Sequence, residues 1–329
     1  MQYSGFIAEN TAPSGTGRLG IYTVRGNRVG FIPLGSLAFP AAGDRQYSFG
    51  ALADVHINYP TAEEDFRRAL SYLNEAEEVA FTCIAGDLTG DGTAAQLAQY
   101  KVAADEASPD TPVYAIAGNH ELYSTLSKSY LETYTGKPLY YSFKYGDDVF
   151  IMCGCYSAVS DGIFTTEYLQ WLYETLEENR NKRCFVFQHV FPWGDSGNAC
   201  GLYTWDMFSG TKSSVFLSLL KHYRNTVLFH GHSHLKFKLQ EMDKKANYSS
   251  AVGFRSVHIP SITVPRDSVN GVLTDATGAS EGYVVDVYEN GIHLRGRDFV
   301  KGTFPPIASR MIFIRDTSFF KYPWLPYRQ

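Results

Sequence analysis

Basic side chains do not outnumber acidic ones in the sequence. It contains 29 Lys and Arg residues against 34 Asp and Glu residues, so its formal net charge is −5. Proteins with a general affinity for DNA or RNA gather Lys and Arg on a basic face. This charge balance argues against a nucleic-acid partner.

Long apolar runs are also missing. No stretch reaches the roughly 18 consecutive apolar residues that indicate a transmembrane helix, and the run at 31–42 is interrupted by Pro33, Gly35 and Pro40. The start, MQYSGFIAENTAPSG, does not have the charged beginning and apolar centre of a signal peptide. We therefore expect a cytoplasmic protein without a membrane partner.

Cysteine is scarce, and no two cysteines form a C-x-x-C unit. The five cysteines cannot all pair within one chain, and Cys83, Cys153 and Cys184 stand in apolar runs that are typical of buried strands. Small buried thiols in a reducing compartment are the preferred interpretation. A metal pair formed by Cys153 and Cys155, which flank one glycine, is the less favoured alternative.

The composition that remains is typical of a soluble globular protein. Of 329 residues, 44% are hydrophobic and 19% are charged. Near the start, IYTV and VGFIPL flank a Gly-Asn turn, which predicts a β-hairpin. We predict a β-hairpin N-terminal extension over 1–46, a main domain over 47–303 and an aromatic C-terminal tail over 304–329 that packs on the domain. The extension is too short for a large core and packs on the domain or on a partner chain, which leaves a homo-oligomer open.

Apolar strands alternate with amphipathic helices along the main domain. The strands are SFGALAD, FTCIAGD, VYAIAGN, CFVFQH and TVLFHGH. Between the first two strands, Thr61 and Glu64 match the capping box that begins a helix. Repeated strand–helix–strand units predict an α/β fold with a mostly parallel sheet covered by helices.

Each of these five strands ends in a residue type that binds metals. The ends are Asp54-Val55-His56, Gly86-Asp87, Gly118-Asn119-His120-Glu121, His189 and Gly231-His232-Ser233-His234. Ligands of open α/β sheets bind beyond the carboxyl ends of the strands, so the five ends are expected to pool their side chains at one place. Any one of these residues has a simpler explanation, such as a helix cap, a turn residue or a core histidine, but the set as a whole favours a metal site.

The mixture of side chains indicates which chemistry the site performs. Imidazole, carboxylate and carboxamide groups suit Mn, Fe or Zn better than ions that prefer thiolates. One carboxylate can bridge two cations, and two cations about 3.5–4 Å apart can clamp a phosphoryl group for attack. The glycines that precede Asp87, Asn119 and His232 allow sharp turns out of the strands.

The five-part pattern resembles the calcineurin-like metallophosphoesterases, in particular their cyclic-nucleotide phosphodiesterase branch. The resemblance covers about residues 48–300 and implies a four-layer α/β/β/α sandwich with two metal ions. It implies that the first ion is held by Asp54, His56, Asp87 and His234, and that the second is held by Asp87, Asn119, His189 and His232. Gly90 stands three residues after Asp87, so the tyrosine ligand of purple acid phosphatases is absent.

The resemblance also implies catalytic roles for the bridging Asp87 and for His120, which follows Asn119 in the sequence. Such a histidine stabilises the phosphoryl group or protonates the leaving oxygen, and Glu121 is expected to orient it through a hydrogen bond. The loop after His189, residues 189–201, is expected to border the substrate. His222 is expected at the surface, and His258 is expected to be structural, although the resemblance implies that its strand lies near the site.

The expected reaction is hydrolysis of a small phosphate ester, with a diester such as a cyclic nucleotide favoured. No Arg adjoins the ligand motifs in the sequence to bind a dianionic monoester. A phosphomonoesterase or nucleotidase with the same site is the first alternative, and a non-catalytic scaffold that keeps the fold is the second. A nuclease of the same superfamily would need a basic groove, against which the composition argues.

Overall fold

The computed structural model of the protein describes residues 4–9, 16–25, 28–38, 42–124, 127–158, 163–190, 210–241, 248–249, 254–269, 272–276 and 278–314. The strands are β1 (Ser4–Glu9), β2 (Thr16–Arg25), β3 (Arg28–Ala38), β4 (Arg45–Leu52), β5 (Thr82–Ile84), β6 (Val113–Ala115), β7 (Tyr140–Tyr145), β8 (Asp148–Cys153), β9 (Cys184–Gln188), β10 (Thr226–His230), β11 (Tyr248–Ser249), β12 (Arg255–His258), β13 (Arg266–Val269), β14 (Val272–Asp275), β15 (Glu281–Tyr288), β16 (Gly291–Asp298) and β17 (Ser309–Phe313). The helices are α1 (Ala62–Glu75), α2 (Ala94–Ala107), α3 (Ser127–Thr135), α4 (Thr166–Glu178) and α5 (Gly210–His222).

Two six-stranded sheets form the centre of the fold. Their strand orders are β17-β16-β15-β4-β5-β6 and β11-β12-β10-β9-β8-β7. Strands β4, β5 and β6 are parallel, and so are β8, β9, β10 and β12, whereas the remaining strands of each sheet pair antiparallel at its edges. The parallel core strands therefore end in the same direction, and their carboxyl ends carry the predicted ligands.

The two sheets pack face to face through aromatic side chains. The ring of Phe49 on β4 lies 5.2 Å from that of Phe150 and 5.4 Å from that of Phe185, both in the opposite sheet. All three side chains are fully buried. Burial of such a side chain contributes about 1.5–3 kcal/mol, so this layer is a major source of the stability that holds the two halves of the site together.

Helices cover the outer face of each sheet. On one side, Phe66 and Leu70 of α1 lie in a buried cluster with residues of β4 and β5. On the other side, Tyr168 of α4 and Phe216 of α5 lie in a cluster with residues of β8, β9 and β10. The predicted four-layer α/β/β/α sandwich is confirmed.

The start of α1 differs in detail from the prediction. The helix begins after Thr61 as expected, but Thr61 has a left-handed backbone (φ 67°) and its side chain makes no capping hydrogen bond. The carboxylate of Glu64 pairs instead with Arg68 at 2.5 Å. The capping-box prediction is wrong because the left-handed turn directs the Thr61 hydroxyl away from the amides of the first helical turn.

Both ends of the chain contain strands that were not predicted from the sequence. The expected N-terminal hairpin is the pair β2 and β3, and β1 adds a third antiparallel strand. Residues 309–313 form the edge strand β17 of the first sheet, whereas the aromatic part of the tail, 315–329, lies outside the described residues.

Four cysteines, Cys83, Cys153, Cys155 and Cys184, are buried free thiols, as interpreted from the sequence. Within the described ranges, no helix combines the length and the apolar character that crossing a membrane requires.

Candidate metal centre

The seven predicted ligands lie at one edge of the sandwich. They follow the ends of five strands, with Asp54 and His56 after β4, Asp87 after β5, Asn119 after β6, His189 after β9, and His232 and His234 after β10. None has a relative exposure above 7%. Three of these strands belong to one sheet and two to the other, so the site spans the interface between the sheets.

Six of the seven side chains form two groups whose ligand atoms converge. In each group, one atom from every residue lies within 4.8 Å of the corresponding atoms of the others. The groups are Asp54, His56, Asp87 and His234, and Asp87, His189 and His232. Asp87 belongs to both groups, which is the arrangement expected of a carboxylate shared by two sites.

Short distances within the groups show how tightly the atoms are gathered. The Nε2 atom of His234 lies 3.0 Å from the Oδ1 atom of Asp54 and 3.1 Å from the Nε2 atom of His56. In the second group, the Nε2 atom of His189 lies 3.0 Å from the Oδ2 atom of Asp87 and 3.2 Å from the Nδ1 atom of His232.

Backbone carbonyls determine which nitrogen of two histidines faces the centre. The Nδ1 atom of His189 lies 2.7 Å from the carbonyl oxygen of Ala85, and that of His234 lies 3.1 Å from the carbonyl oxygen of Val264. A carbonyl only accepts, so Nδ1 carries the hydrogen in both rings. In the neutral rings, the Nε2 lone pairs are therefore directed at the carboxylates.

Such an arrangement fits a cation. Imidazole lone pairs and carboxylate oxygens about 3 Å apart repel each other unless a positive charge lies between them. The donor set of nitrogen and carboxylate oxygen is the one that Mn, Fe and Zn accept, and the Nδ1 bonds to backbone carbonyls are typical of metal-binding histidines. The described residues thus fit two metal ions that share Asp87.

Backbone strain is concentrated at the same place. Five of the seven predicted ligands have a positive φ angle: Asp54 (56°), His56 (49°), Asp87 (50°), His232 (75°) and His234 (60°). A non-glycine residue in this region costs about 1 kcal/mol or more. This cost is typical of functional sites, where the surrounding fold imposes an orientation that the side chain needs for binding.

Two glycines allow the loops to approach closely. A Cβ atom on Gly118 would lie 2.1 Å from the Oδ1 atom of Asp87, and a Cβ atom on Gly231 would lie 2.5 Å from the Oδ2 atom of Asp54. Neither contact is possible for a real side chain. From their place in the sequence, these glycines were expected to permit turns; in the structure they leave room for the carboxylates.

The electrostatics of the centre favour ionised carboxylates, neutral imidazoles at His56 and His232, and a positive charge at His189. Burial alone raises the pKa of Asp87, but the nearby His189 and His56 outweigh it and hold this pKa well below its ordinary value. Burial lowers the pKa of His56 and of His232 to about 3. Burial also lowers the pKa of His189, but Asp87 and Asp54 outweigh it and raise this pKa to about 9. A metal ion would take the place of the proton that the carboxylates draw to His189.

His120 lies beside the metal groups but is oriented differently. Its side chain is 19% exposed, and its Nε2 atom lies 3.9 Å from the Oδ2 atom of Asp87. Its Nδ1 atom lies 2.6 Å from the carbonyl oxygen of Gly90, and its backbone N–H donates to the Oδ1 atom of Asp87. The ring therefore presents Nε2 to the centre with more access to solvent than the predicted ligands have.

The expected role of Glu121 is wrong. Its side chain is fully buried and accepts from the backbone N–H and the hydroxyl of Thr89 at 2.8 and 2.9 Å, and from the N–H of Gly118 at 2.8 Å. Among the described residues, no hydrogen bond joins it to the His120 ring. The carboxylate instead links the loops that follow β5 and β6.

Other residues that position the site were not found from the sequence. The hydroxyl of Ser261 donates to the carbonyl oxygen of Asp54 at 2.9 Å, and that of Thr263 donates to the carbonyl oxygen of Val55 at 2.5 Å. Asn119 donates its side-chain Nδ2 to the hydroxyl of Tyr123 at 2.9 Å. Ser261 and Thr263 are separated from their partners by more than 200 residues along the sequence, so sequence patterns do not reveal these contacts. Only the contact of Tyr123 with Asn119, four residues earlier, could have been inferred from sequence spacing.

The other residues singled out from the sequence are His222, His258 and the loop 189–201. His222 is exposed in the last turn of α5. His258 is buried, and its Nε2 atom lies 2.9 Å from the hydroxyl of Ser233, which stands between the predicted ligands His232 and His234 in the segment after β10. The loop after His189 is described only to Val190, so the expectation that 189–201 border the substrate lies almost wholly outside the described residues.

Solved structures share the fold at low sequence identity. Purple acid phosphatase PPD1 from seeds of yellow lupin (Lupinus luteus) is 13% identical, with a TM-score of 0.59 over 96% of this chain and 67% of that chain. GAP50, the anchor in the inner membrane complex of Plasmodium, is 14% identical, with a TM-score of 0.55 over 83% of this chain and 90% of that chain. These similarities show a shared fold and no more.

Family membership rests on the sequence. No curated protein matches the chain, but the family model described as Calcineurin-like phosphoesterase matches residues 47–236, which is more than half of the 329 residues. The match spans the predicted ligands as far as His234. The chain therefore belongs to the calcineurin-like phosphoesterase family of metal-dependent phosphoesterases.

Proposed function

We propose that the protein hydrolyses phosphate diesters, cyclic nucleotides among them, with two metal ions bound by the seven strand-end side chains. The observation that carries the proposal is the pair of converging ligand groups that share Asp87. When bound, two such ions supply Lewis-acid activation of water and of the phosphoryl oxygens. Mn, Fe and Zn all suit the donor set.

The protein's own residues supply orientation and a proton. Asp87 fixes the spacing of the two sites, because its carboxylate belongs to both. His120 stands at the open side of the centre, and its bond to the carbonyl oxygen of Gly90 keeps a hydrogen on Nδ1. The proton that His120 would deliver to the leaving oxygen is therefore the one on Nε2.

The charge around the site supports a diester over a monoester. A diester carries one negative charge fewer at phosphorus and needs less cationic help beyond the metals. The fold brings Arg266 next to His234, since its backbone N–H donates to the carbonyl oxygen of His234 at 2.7 Å. However, its Nε atom lies 3.5 Å from the Oδ1 atom of Asp275, so a neighbouring carboxylate offsets its charge.

Two alternatives have an observation in their favour. The fold is shared with a plant purple acid phosphatase, which suits a monoesterase. Against this alternative, Gly90 stands where the tyrosine ligand of purple acid phosphatases would be. The fold is also shared with a Plasmodium protein described as an anchor, which suits a non-catalytic scaffold. The complete set of predicted ligands favours catalysis over the scaffold.

Hydrolysis of two chromogenic esters tests the proposal. The protein is stripped with a chelator, Mn²⁺ is added back, and cleavage of bis-p-nitrophenyl phosphate is compared with that of p-nitrophenyl phosphate. We expect activity that depends on Mn²⁺ and favours the diester. Faster cleavage of the monoester would overturn the diester assignment, and failure to cleave either ester with two metals bound would favour the scaffold.

A further inference from the structure

The side chain of Asn119 is held by one end only. It is buried, with a relative exposure of 3%. Its Nδ2 group donates to the hydroxyl of Tyr123 at 2.9 Å. Its Oδ1 atom is also buried, and within the described part of the chain it has no hydrogen-bond partner.

The orientation of this amide matters because its two ends have opposite polarity. Only the oxygen can bind a cation, whereas the NH₂ group is attracted to anions. The backbone on both sides of Asn119 touches Asp87, through the N–H of His120 at 3.0 Å and the close approach of Gly118. Next to this carboxylate, an amide without other contacts would turn its NH₂ group towards Asp87 and its oxygen away.

Tyr123 is well placed to prevent that rotation. It caps the short turn at His120–Leu122, with its backbone N–H bonded to the carbonyl oxygen of His120 at 3.3 Å. Its ring lies 4.6 Å from the ring of His120. The side chain is 55% exposed, so its ring is held by local contacts and not by the core.

We propose that Tyr123 is a positioning residue that keeps the NH₂ group of Asn119 occupied and so leaves Oδ1 for the second metal ion. This inference rests on the proposed two-metal function. The hydroxyl holds the amide in its metal-binding orientation before any ion arrives. Its effect is therefore confined to the site that contains Asn119, and the site that contains His56 and His234 is not affected.

Calorimetric titration of the chelated full-length protein with Mn²⁺ tests the inference. Tyr123→Phe removes the accepting hydroxyl but keeps the ring against His120. We expect one of the two binding steps to weaken about 10-fold or more, as when other residues that orient metal ligands are lost. The other step and the thermal unfolding of the metal-free protein should stay unchanged.

Tyr59→Phe is the matched control. Its ring stacks on His56 at 4.8 Å, as that of Tyr123 packs on His120, but among the described residues its hydroxyl bonds to no predicted ligand. This variant should bind both ions as the unmodified chain does. Equal weakening in both variants would mean that loss of any tyrosine hydroxyl near the centre weakens binding, with or without a bond to Asn119, and would overturn the inference.

The outcomes separate the inference from the function on which it rests. An unmodified chain that binds fewer than two Mn²⁺ ions would contradict the proposed function. An unmodified chain that binds two ions, together with a Tyr123→Phe variant that binds them equally well, would contradict only the role of Tyr123. A variant whose half-maximal activity needs more Mn²⁺, with an unchanged rate at saturation, would support it.

Discussion

At the scale of single residues, the centre depends on side chains held in unfavourable positions. Asp87 is buried at 1% exposure, has a φ angle of 50° and lies within reach of His56, His189 and His120. A buried carboxylate costs several kcal/mol unless positive charge compensates it. The nearby histidines compensate part of this cost, and a bound cation would compensate both it and the backbone strain.

Replacement of Asp87 by Ala should abolish activity and lower metal content together. The side chain belongs to both ligand groups, so each ion loses a ligand and the ions lose their bridge. Metal content by mass spectrometry and ester hydrolysis measure the two effects. Full activity of a metal-loaded Asp87→Ala protein would show that the assignment is wrong.

His120 should behave differently from the ligands. His120→Ala should lower the turnover number by about 10²–10⁴-fold, the usual contribution of a general acid, while both ions stay bound. The bond from Nδ1 to Gly90 aims the ring without involving a metal. Loss of an ion in this variant would mean that His120 is itself a ligand.

At the scale of loops and strands, a buried carboxylate ties two ligand loops together. Glu121 accepts from Thr89 on the loop after β5 and from Gly118 on the loop after β6. Each of its oxygens has a backbone donor. This link fixes the distance between Asp87 and Asn119, so the loops act as one unit.

Glu121→Gln should destabilise the protein by about 1–3 kcal/mol, because the new NH₂ group would face a buried N–H donor and leave it without an acceptor. Urea unfolding of the metal-free protein measures the change. Glu106→Gln is the control, since Glu106 has a side-chain exposure of 63% and makes a surface ion pair with Arg67, which contributes about 0–1 kcal/mol. Equal stability of the two variants would contradict the linking role.

Gly118→Ala should remove metal binding and also destabilise the protein. The added methyl group would lie 2.1 Å from the Oδ1 atom and 2.4 Å from the backbone nitrogen of Asp87, so the loop that carries Asp87 has to shift. Gly146→Ala is a control for backbone strain, because Gly146 has a φ angle of 57° and open space around it, so the substitution costs about 1 kcal/mol. We expect Gly146→Ala to keep both ions, and Gly118→Ala to be less stable and to lose metal, as measured by thermal unfolding and by calorimetric titration of the folded proteins with Mn²⁺. Retention of both ions would show that the close approach is not required.

The convergence of the predicted ligands could be expected from the sequence, because each stands at a strand end and parallel strands end at one edge. The partners of those ligands were not predictable, because Ser261 reaches Asp54 only after the two sheets have packed. The prediction for Glu121 was wrong because it assumed a bond to the adjacent His120. The folded loops instead bring Thr89 and Gly118 to its carboxylate.

At the scale of the whole molecule, the sandwich brings two half-sites together. The loops after β4, β5 and β6 come from one sheet, and those after β9 and β10 come from the other. The aromatic layer around Phe49 holds the sheets in register. The family match begins at residue 47, and we propose that residues 1–46 are an extension of the catalytic domain.

The central claim is that two cations lie at this edge of the sandwich and share Asp87. Anomalous X-ray diffraction from crystals of the protein grown with Mn²⁺ tests it most directly. The account predicts two anomalous peaks about 3.5–4 Å apart, with the Asp87 carboxylate between them and His234 and His189 on opposite sides. A single peak, or peaks away from these side chains, would contradict it.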